Sequence, residues 1–330
     1  MEPFADLTMN SARLQGKSLG KLAAPSLLND YYTNLLQCSC NGVIALALGS
    51  SVFLWNSETR ALLGHLDPNP PGGRPRGQSQ SICSLCWSRD GRTLSMGTRR
   101  GQIQLWDVEH EKNVSCVPFH LSAVRALSWK QQLLSSGSDL GHIHHHDPRA
   151  PTLLSGAVVQ QGGVCSLQWS PTEDHLASGS TEGFLHVWAN GIASSQLPII
   201  TMKQPSSVKA MGWCPWQRNT IATGGGWTDG QLRIWDVQSG TGVTSVNTNS
   251  QICSLQWAEK NRRLLTGHGL PDHHITCWSW TGPGLRLNYQ LTGHSHRVLH
   301  LALNPDGSQM FSAGADQVFH MWDVSSSVCL

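Results

Sequence analysis

Short stretches of alternating apolar and polar residues recur along the chain, each ending in Trp and often in Trp-Asp. They read SVFLW (Trp55), GQIQLWDV (Trp106), GFLHVW (Trp188), QLRIWDV (Trp235), ITCW (Trp278) and VFHMWDV (Trp322). HIHHHD completes the series, with His146 in the Trp place. Alternation of period two marks a strand with one face buried. The seven endings lie 51, 40, 42, 47, 43 and 44 residues apart. A second apolar run with its own Trp stands 17 to 22 residues before most of them: Trp87, Trp129, Trp169, Trp213 and Trp257. LALNPDG puts Asn304 at that place in the last unit. Between the two runs lie small-residue steps such as LSMGTRRG, LSSGSDLG and LASGSTEG. These predict tight turns between neighbouring strands.

A period of 40–45 residues with Trp-Asp endings is the pattern of a four-stranded WD40 blade. Seven endings predict one all-β, seven-bladed WD40 β-propeller over 29–324, with the Trp side chains filling the space between sheets. Blade seven ends at VFHMWDV and lacks an outer strand. Residues 12–23, within an N-terminal segment 1–28, are the expected donor that closes the ring. Residues 1–10 are expected to be disordered. The Pro/Gly-rich stretch 67–80 is expected to be a flexible loop, and 325–330 a short tail.

Composition narrows the class. Only 13% of the 330 residues are charged, about half the usual share. Helix bundles and coiled coils need more Glu and Lys for their wet faces. The formal net charge is +2, too small for a nucleic-acid footprint. No apolar run reaches the roughly 18 residues of a membrane span; 42–55 comes nearest and is broken by Gly49, Ser50 and Ser51. The start, MEPFADLTMN, has no secretory pattern. Ten cysteines, mostly inside apolar runs (Cys83, Cys86, Cys165, Cys253, Cys277), are expected as free packed thiols. The expected setting is intracellular, cytoplasm and nucleus.

Candidate chemistry is thin. His142, His144 and His146 share one strand face, beside His145, and offer metal-ligand atoms. The simpler expectation is a blade ending with His146 replacing Trp, and no metal. Cys83-x-x-Cys86 lacks a second pair. Asp272, His273 and His274 fit a solvated loop. Gly224–Gly226 precedes neither a helix nor a Lys-Ser/Thr, so it is no phosphate loop. No catalytic set assembles. A non-enzymatic binding module without cofactor is expected.

Longer stretches say more. NDYYTNLL (29–36), IQLWDVEHEK (103–112), LSSGSDLGHIHHHDPR (134–149), VKAMGWCPWQRNTIATGGG (208–226), NSQICSLQW (249–257) and GHSHRVLHLALNPDG (293–307) closely resemble the fizzy, or cell-division-cycle-20, family of co-activators of the anaphase-promoting complex. NSQICSL and RVLHLALNPD are most similar to its divergent vertebrate B-type branch. The resemblance implies a monomeric propeller whose partners are ligase subunits and degron-bearing proteins, in cell-cycle control and ubiquitin-dependent proteolysis, with no nucleic acid or membrane. It also implies two degron sites.

The implied pocket for a KEN-type degron falls on Asp30, Tyr31, Gln251 and Arg297, which match the family. Thr181 and Gly183 stand where the family has Asn, and Trp227 where it has Thr; the Gly183 change implies a lost side-chain amide. The implied destruction-box groove has an apolar part at Leu22, Leu46 and Leu62. Its acidic part falls on Ala23 and Gln317, where the family carries Asp and Glu. Residues 1–28 show no basic-aromatic C-box, and the chain closes on Ser-Val-Cys-Leu rather than Ile-Arg. The alternative expectation is therefore a divergent scaffold with weakened degron reading and weakened ligase engagement.

Overall fold

The computed structural model describes residues 17–68, 80–117, 120–150, 154–189, 197–280 and 284–325. Residues 1–16, most of the 67–80 stretch and 326–330 of the tail lie outside them. Among the described residues, 28 strands form seven four-stranded antiparallel sheets, with no helix. The all-β, seven-bladed propeller expected from the repeat is what the chain forms. Six blades take their strands in chain order, over 36–66, 82–117, 124–159, 164–203, 210–247 and 252–291. The seventh takes three strands from 298–323 and its outer strand from Lys17–Ala23. That strand pairs with Val318–Asp323, placing Leu22 opposite Phe319 and Ala23 opposite Val318.

The tryptophans do two jobs. At four of the blade endings the indole N–H donates to a hydroxyl on the neighbouring strand of its own blade. Trp188 reaches Ser178, Trp235 Thr223, Trp278 Thr266 and Trp322 Ser312, each at 2.8 Å. Four of the five upstream tryptophans donate to the preceding blade, Trp87 being the exception. Trp129 reaches Ser95 at 2.8 Å, Trp169 Ser135 at 3.0 Å, and Trp257 the Gly212 carbonyl at 2.8 Å. One set stiffens each sheet and the other locks sheet to sheet. Both satisfy a donor that would otherwise be buried at a cost. The apolar core is correspondingly spread between blades. Its largest cluster joins Phe311 and Phe319 of blade seven, Leu46 and Leu54 of blade one, and Leu94 and Met96 of blade two.

One expectation about the small-residue steps needs correcting. Their first glycines are not in turns. Gly97, Gly137 and Gly179 lie inside strands Thr93–Thr98, Leu133–Ser138 and His175–Ser180. Each sits where the inner strand of the next blade passes. A Cβ on Gly137 would meet Val164 Cγ1 at 2.3 Å, and one on Gly179 would meet the Val208 carbonyl oxygen at 2.0 Å. Glycine is needed there for close approach. The turn is made by a later glycine in the step.

The nine cysteines among the described residues are free. Burial pushes the thiols of Cys165 and Cys253 up to about 12, which suppresses the reactive thiolate.

Candidate functional site: a polar face and a cleft

The inner strands carry a repeated irregularity. Pairing skips one residue between Ile82 and Ser84, Val124 and Ala126, Val164 and Ser166, Ile252 and Ser254, and Val298 and His300. A bulge re-aims the extra residue away from the pleat. Those residues are Cys83, Arg125, Cys165, Cys253 and Leu299. Lys209 holds the matching sequence place in blade five, after Val208. Two cations thus stand among three cysteines and one leucine at these six places.

Segment 29–34 crosses this ring. The Asp30 carboxylate pairs with Arg125 of blade three at 2.5 Å, and Arg125 also binds Asp139 at 2.8 Å. Tyr31 is buried, and its hydroxyl donates to the Ile252 carbonyl of blade six at 3.3 Å. The Asn34 amide donates to the carbonyls of Arg125 at 2.9 Å and Cys165 at 3.3 Å. Arg297 of blade seven binds the side chain of Asn29. Burial works to raise the Asp30 carboxyl; the Tyr32 N–H and Arg125 overcome it and hold it below the usual range. Asp30 is therefore a fixed anion, and its partner Arg125 lies on the same candidate face, a residue that motif matching misses. The signal lies in the repeat, in a charge at a place that holds Cys or Leu in four other blades. Arg125→Gln should cost about 2 kcal/mol by stranding Asp30 and Asp139, read as a lower denaturant midpoint at unchanged slope.

The structure brings Gln251 and Arg297 to the same place. Both flank Gly269: a Cβ built there would lie 2.7 Å from Gln251 Oε1 and 3.4 Å from Arg297 Cδ. Trp227 stands on the neighbouring loop, whose Gly225 carbonyl accepts from the Ile252 N–H at 3.0 Å. Its ring is 62% exposed. Thr181 is committed to structure, its hydroxyl accepting from the Gly163 N–H at 3.0 Å.

Gly183 is a turn glycine with φ of +85°, and a Cβ there would fall 2.3 Å from the Gln204 carbonyl oxygen. In this chain the position holds a tight turn against the next blade. Gln317 occupies the matching turn of blade seven, at φ +58°. Its N–H donates to the Gly314 carbonyl at 3.0 Å, as the Gly183 N–H does to Ser180 at 3.2 Å.

The cleft between blades one and seven collects the other predicted set. Leu22 pairs with Phe319, Phe319 stacks on Trp55 at 5.9 Å, and Trp55 pairs with Leu62. Leu22 and Leu62 therefore flank one interface and are 40% and 59% exposed. Ala23 and Gln317 join them at its end; the Ala24 N–H donates to the Gln317 carbonyl at 2.7 Å. Leu46 does not line the cleft. It is fully buried, cross-strand from Phe53, inside the core below. The exposed wall is Leu22 and Leu62, with no carboxylate at Ala23 or Gln317.

The histidine strand is part of the scaffold. Ser136 hydrogen-bonds with His146 at 3.1 Å and with His120 at 2.7 Å. Blade seven uses the same device, with Ser312 bonded to His294 and Trp322, both at 2.8 Å. His146 thus takes the Trp role. His120, His144 and His146 bring ligand atoms within 4.8 Å of one another. The His120 and His144 rings, however, stack at 4.1 Å and 12°. Nearly parallel rings aim their in-plane lone pairs alongside one another rather than at a common tetrahedral centre.

Residues 22–322 match the family model described as the CDC20/Fizzy WD40 domain. This chain belongs to the CDC20/Fizzy family. Similar proteins include the Dictyostelium discoideum "Anaphase-promoting complex subunit cdc20", 38% identical over 92% of this chain and 59% of that protein. Another is the Schizosaccharomyces pombe "WD repeat-containing protein slp1", 35% identical over 92% of this chain and 60% of that protein. The chain spans about 60% of the length of these curated relatives. Among solved structures, a chain in "Crystal Structure of Mitotic Checkpoint Complex" superposes with a TM-score of 0.88. It is 33% identical, and the match covers 99% of this chain and 97% of that one.

Proposed function

We propose that this propeller is a non-enzymatic substrate-recognition and activator subunit of the anaphase-promoting complex, binding the ligase and degron-bearing proteins in cell-cycle control. The observation that carries the reading is family membership across 22–322. On this reading the face around Asp30, Gln251 and Arg297 takes KEN-type degrons, with Trp227 at its rim. The cleft between Leu22 and Leu62 takes destruction-box segments. Affinity purification from dividing cells, followed by mass spectrometry, should recover ligase subunits; a purification without any would overturn the reading.

The cleft favours a second reading, a divergent scaffold with weakened degron binding. A degron Arg meeting carboxylates gains roughly 1.5–3 kcal/mol per charge-assisted bond. With Ala23 and Gln317 in those places, both bonds are lost, a weakening of about a hundredfold or more. Ala23→Asp combined with Gln317→Glu should raise the affinity of an Arg-containing destruction-box peptide at least tenfold. A titration showing no gain would mean that the cleft does not receive that segment.

A further inference from the structure

The irregularity in the inner strands also turns backbone carbonyls out of the sheet ladder. Five of the six places have that carbonyl bound from another blade, and two residues bind all five. Asn34, at the head of blade one, takes three. Its N–H donates to the Cys83 carbonyl at 2.9 Å, and its side-chain amide to those of Arg125 at 2.9 Å and Cys165 at 3.3 Å. Lys209, at the head of blade five, takes the other two. Its ammonium donates to the carbonyls of Cys253 at 2.8 Å and Leu299 at 3.3 Å. Lys209 is buried and Asn34 partly buried, and both line the central channel. Blades two, three and four are thus tied through one amide, and six and seven through one ammonium.

The carbonyls held this way adjoin the candidate face. Cys253 stands two residues after Gln251, and Leu299 two after Arg297. The backbones of Gln251 and Arg297 are tied within their own blades, their carbonyls accepting from the Gly269 and Ala315 N–H groups, each at 2.8 Å. Lys209 ties one of these strands to the other. Cys165, at the matching place in blade four, reaches one neighbouring blade, its thiol donating to the Val208 carbonyl at 3.2 Å; Lys209 reaches two. Hydrogen bonds from an ammonium are stronger than neutral ones, and without it two carbonyls would stand buried and unpaired. They would recover partners by turning or by admitting water, and the strands bearing Gln251 and Arg297 would shift with them. Asn34 plays the same part for Arg125, whose guanidinium holds Asp30.

We propose that Lys209 and Asn34 are positioning residues of the polar face: Lys209 sets Gln251 against Arg297, and Asn34 sets Arg125 and, through it, Asp30. Their effect on degrons rests on the KEN-type reading of that face. Two measurements on the full chain test it. Hydrogen exchange without ligand should quicken about tenfold or more in Lys209→Met at 248–256 and 296–303, while Val43–Asn56 of blade one keeps the wild-type rate. In Asn34→Ala the quickened segments should be 122–127 and 163–167. Titration with a Lys-Glu-Asn peptide should show affinity about tenfold lower or more in Lys209→Met and several-fold lower in Asn34→Ala. Lys209→Arg, which keeps the charge and the donors, should recover most of the loss. If Lys209→Met does not fold, Asn34→Ala decides by its own exchange pattern. A wild-type chain that binds no such peptide overturns the degron reading, and exchange then decides the positioning role alone. Unchanged exchange at the named segments, or quickening spread evenly over all blades, overturns the proposal.

Discussion

Thermal stability should fall steeply as the pH drops from 6.5 towards 4, well before the carboxylates titrate. His120, His145 and His268 are buried. Burial first, and neighbouring histidines second, lower them to about 3, 4 and 3. His300 is lowered as well, by burial and by Lys209. In the unfolded chain each returns to about 6.5. Across the window between the folded and unfolded values, the unfolded chain binds protons that the folded chain refuses. Stability therefore rises with pH there and is lost on acidification. Each histidine contributes at most about 1.4 kcal/mol per pH unit, so His120, His145 and His268 alone are worth on the order of 4 kcal/mol per unit near pH 5. That is a large share of a typical folding free energy of roughly 5–15 kcal/mol. Calorimetry from pH 7.5 to 4.5 checks it. A Tm that stays level between pH 7 and 5 would contradict the assignment, and His268→Gln should flatten the slope.

Gly179→Ala should destabilise the propeller by about 3 kcal/mol or more, with the loss located between blades four and five. The added methyl would lie 2.0 Å from the Val208 carbonyl oxygen and 2.3 Å from Ser166 Oγ. Those two atoms already share a hydrogen bond of 2.7 Å, and the Val208 N–H donates to Ser180 at 3.0 Å. No side-chain rotation relieves a clash with backbone, so one blade must move off the other and break both bonds. Overpacking and lost buried hydrogen bonds account for the magnitude. Gly284→Ala is the control, because a Cβ there meets nothing within 4 Å. Denaturant midpoints should separate the two variants widely. Equal midpoints would show that the blades yield more easily than their hydrogen bonds suggest.

The architecture was legible in the sequence because every blade solves the same packing problem with the same residues. Trp, Ser or Thr and Gly return at fixed places, and one His146 in a Trp place does not hide the series. The errors came where one short step serves two purposes. In LASGSTEG, Gly179 admits a neighbouring strand while Gly183 makes the turn, and local pattern alone does not separate them. The site was less legible. Matching positions to a family carries no burial, so it assigns Leu46 to a surface that the side chain never reaches. Arg125 escaped because its role depends on Asp30, 95 residues earlier in the chain. Only the fold brings such partners together. Read across repeats instead of along them, Arg125 and Lys209 stand out as charges in a ring of Cys and Leu.

The contacts of segment 29–34 and of strand Lys17–Ala23 bear on how the chain reaches this state. Asn29 binds Arg297, 268 residues away, and Tyr31 binds the Ile252 carbonyl across 221. Lys17 pairs with Asp323. Contacts of such sequence separation form late, since loop closure must precede any reward. The order of synthesis is thus reversed in the order of completion: residues made early wait for blades made last. Until then blade seven presents Val318–Asp323 as an unpaired edge, the kind that recruits other chains. Premature release, or a stop before residue 318, would leave both the polar face and the cleft unassembled together.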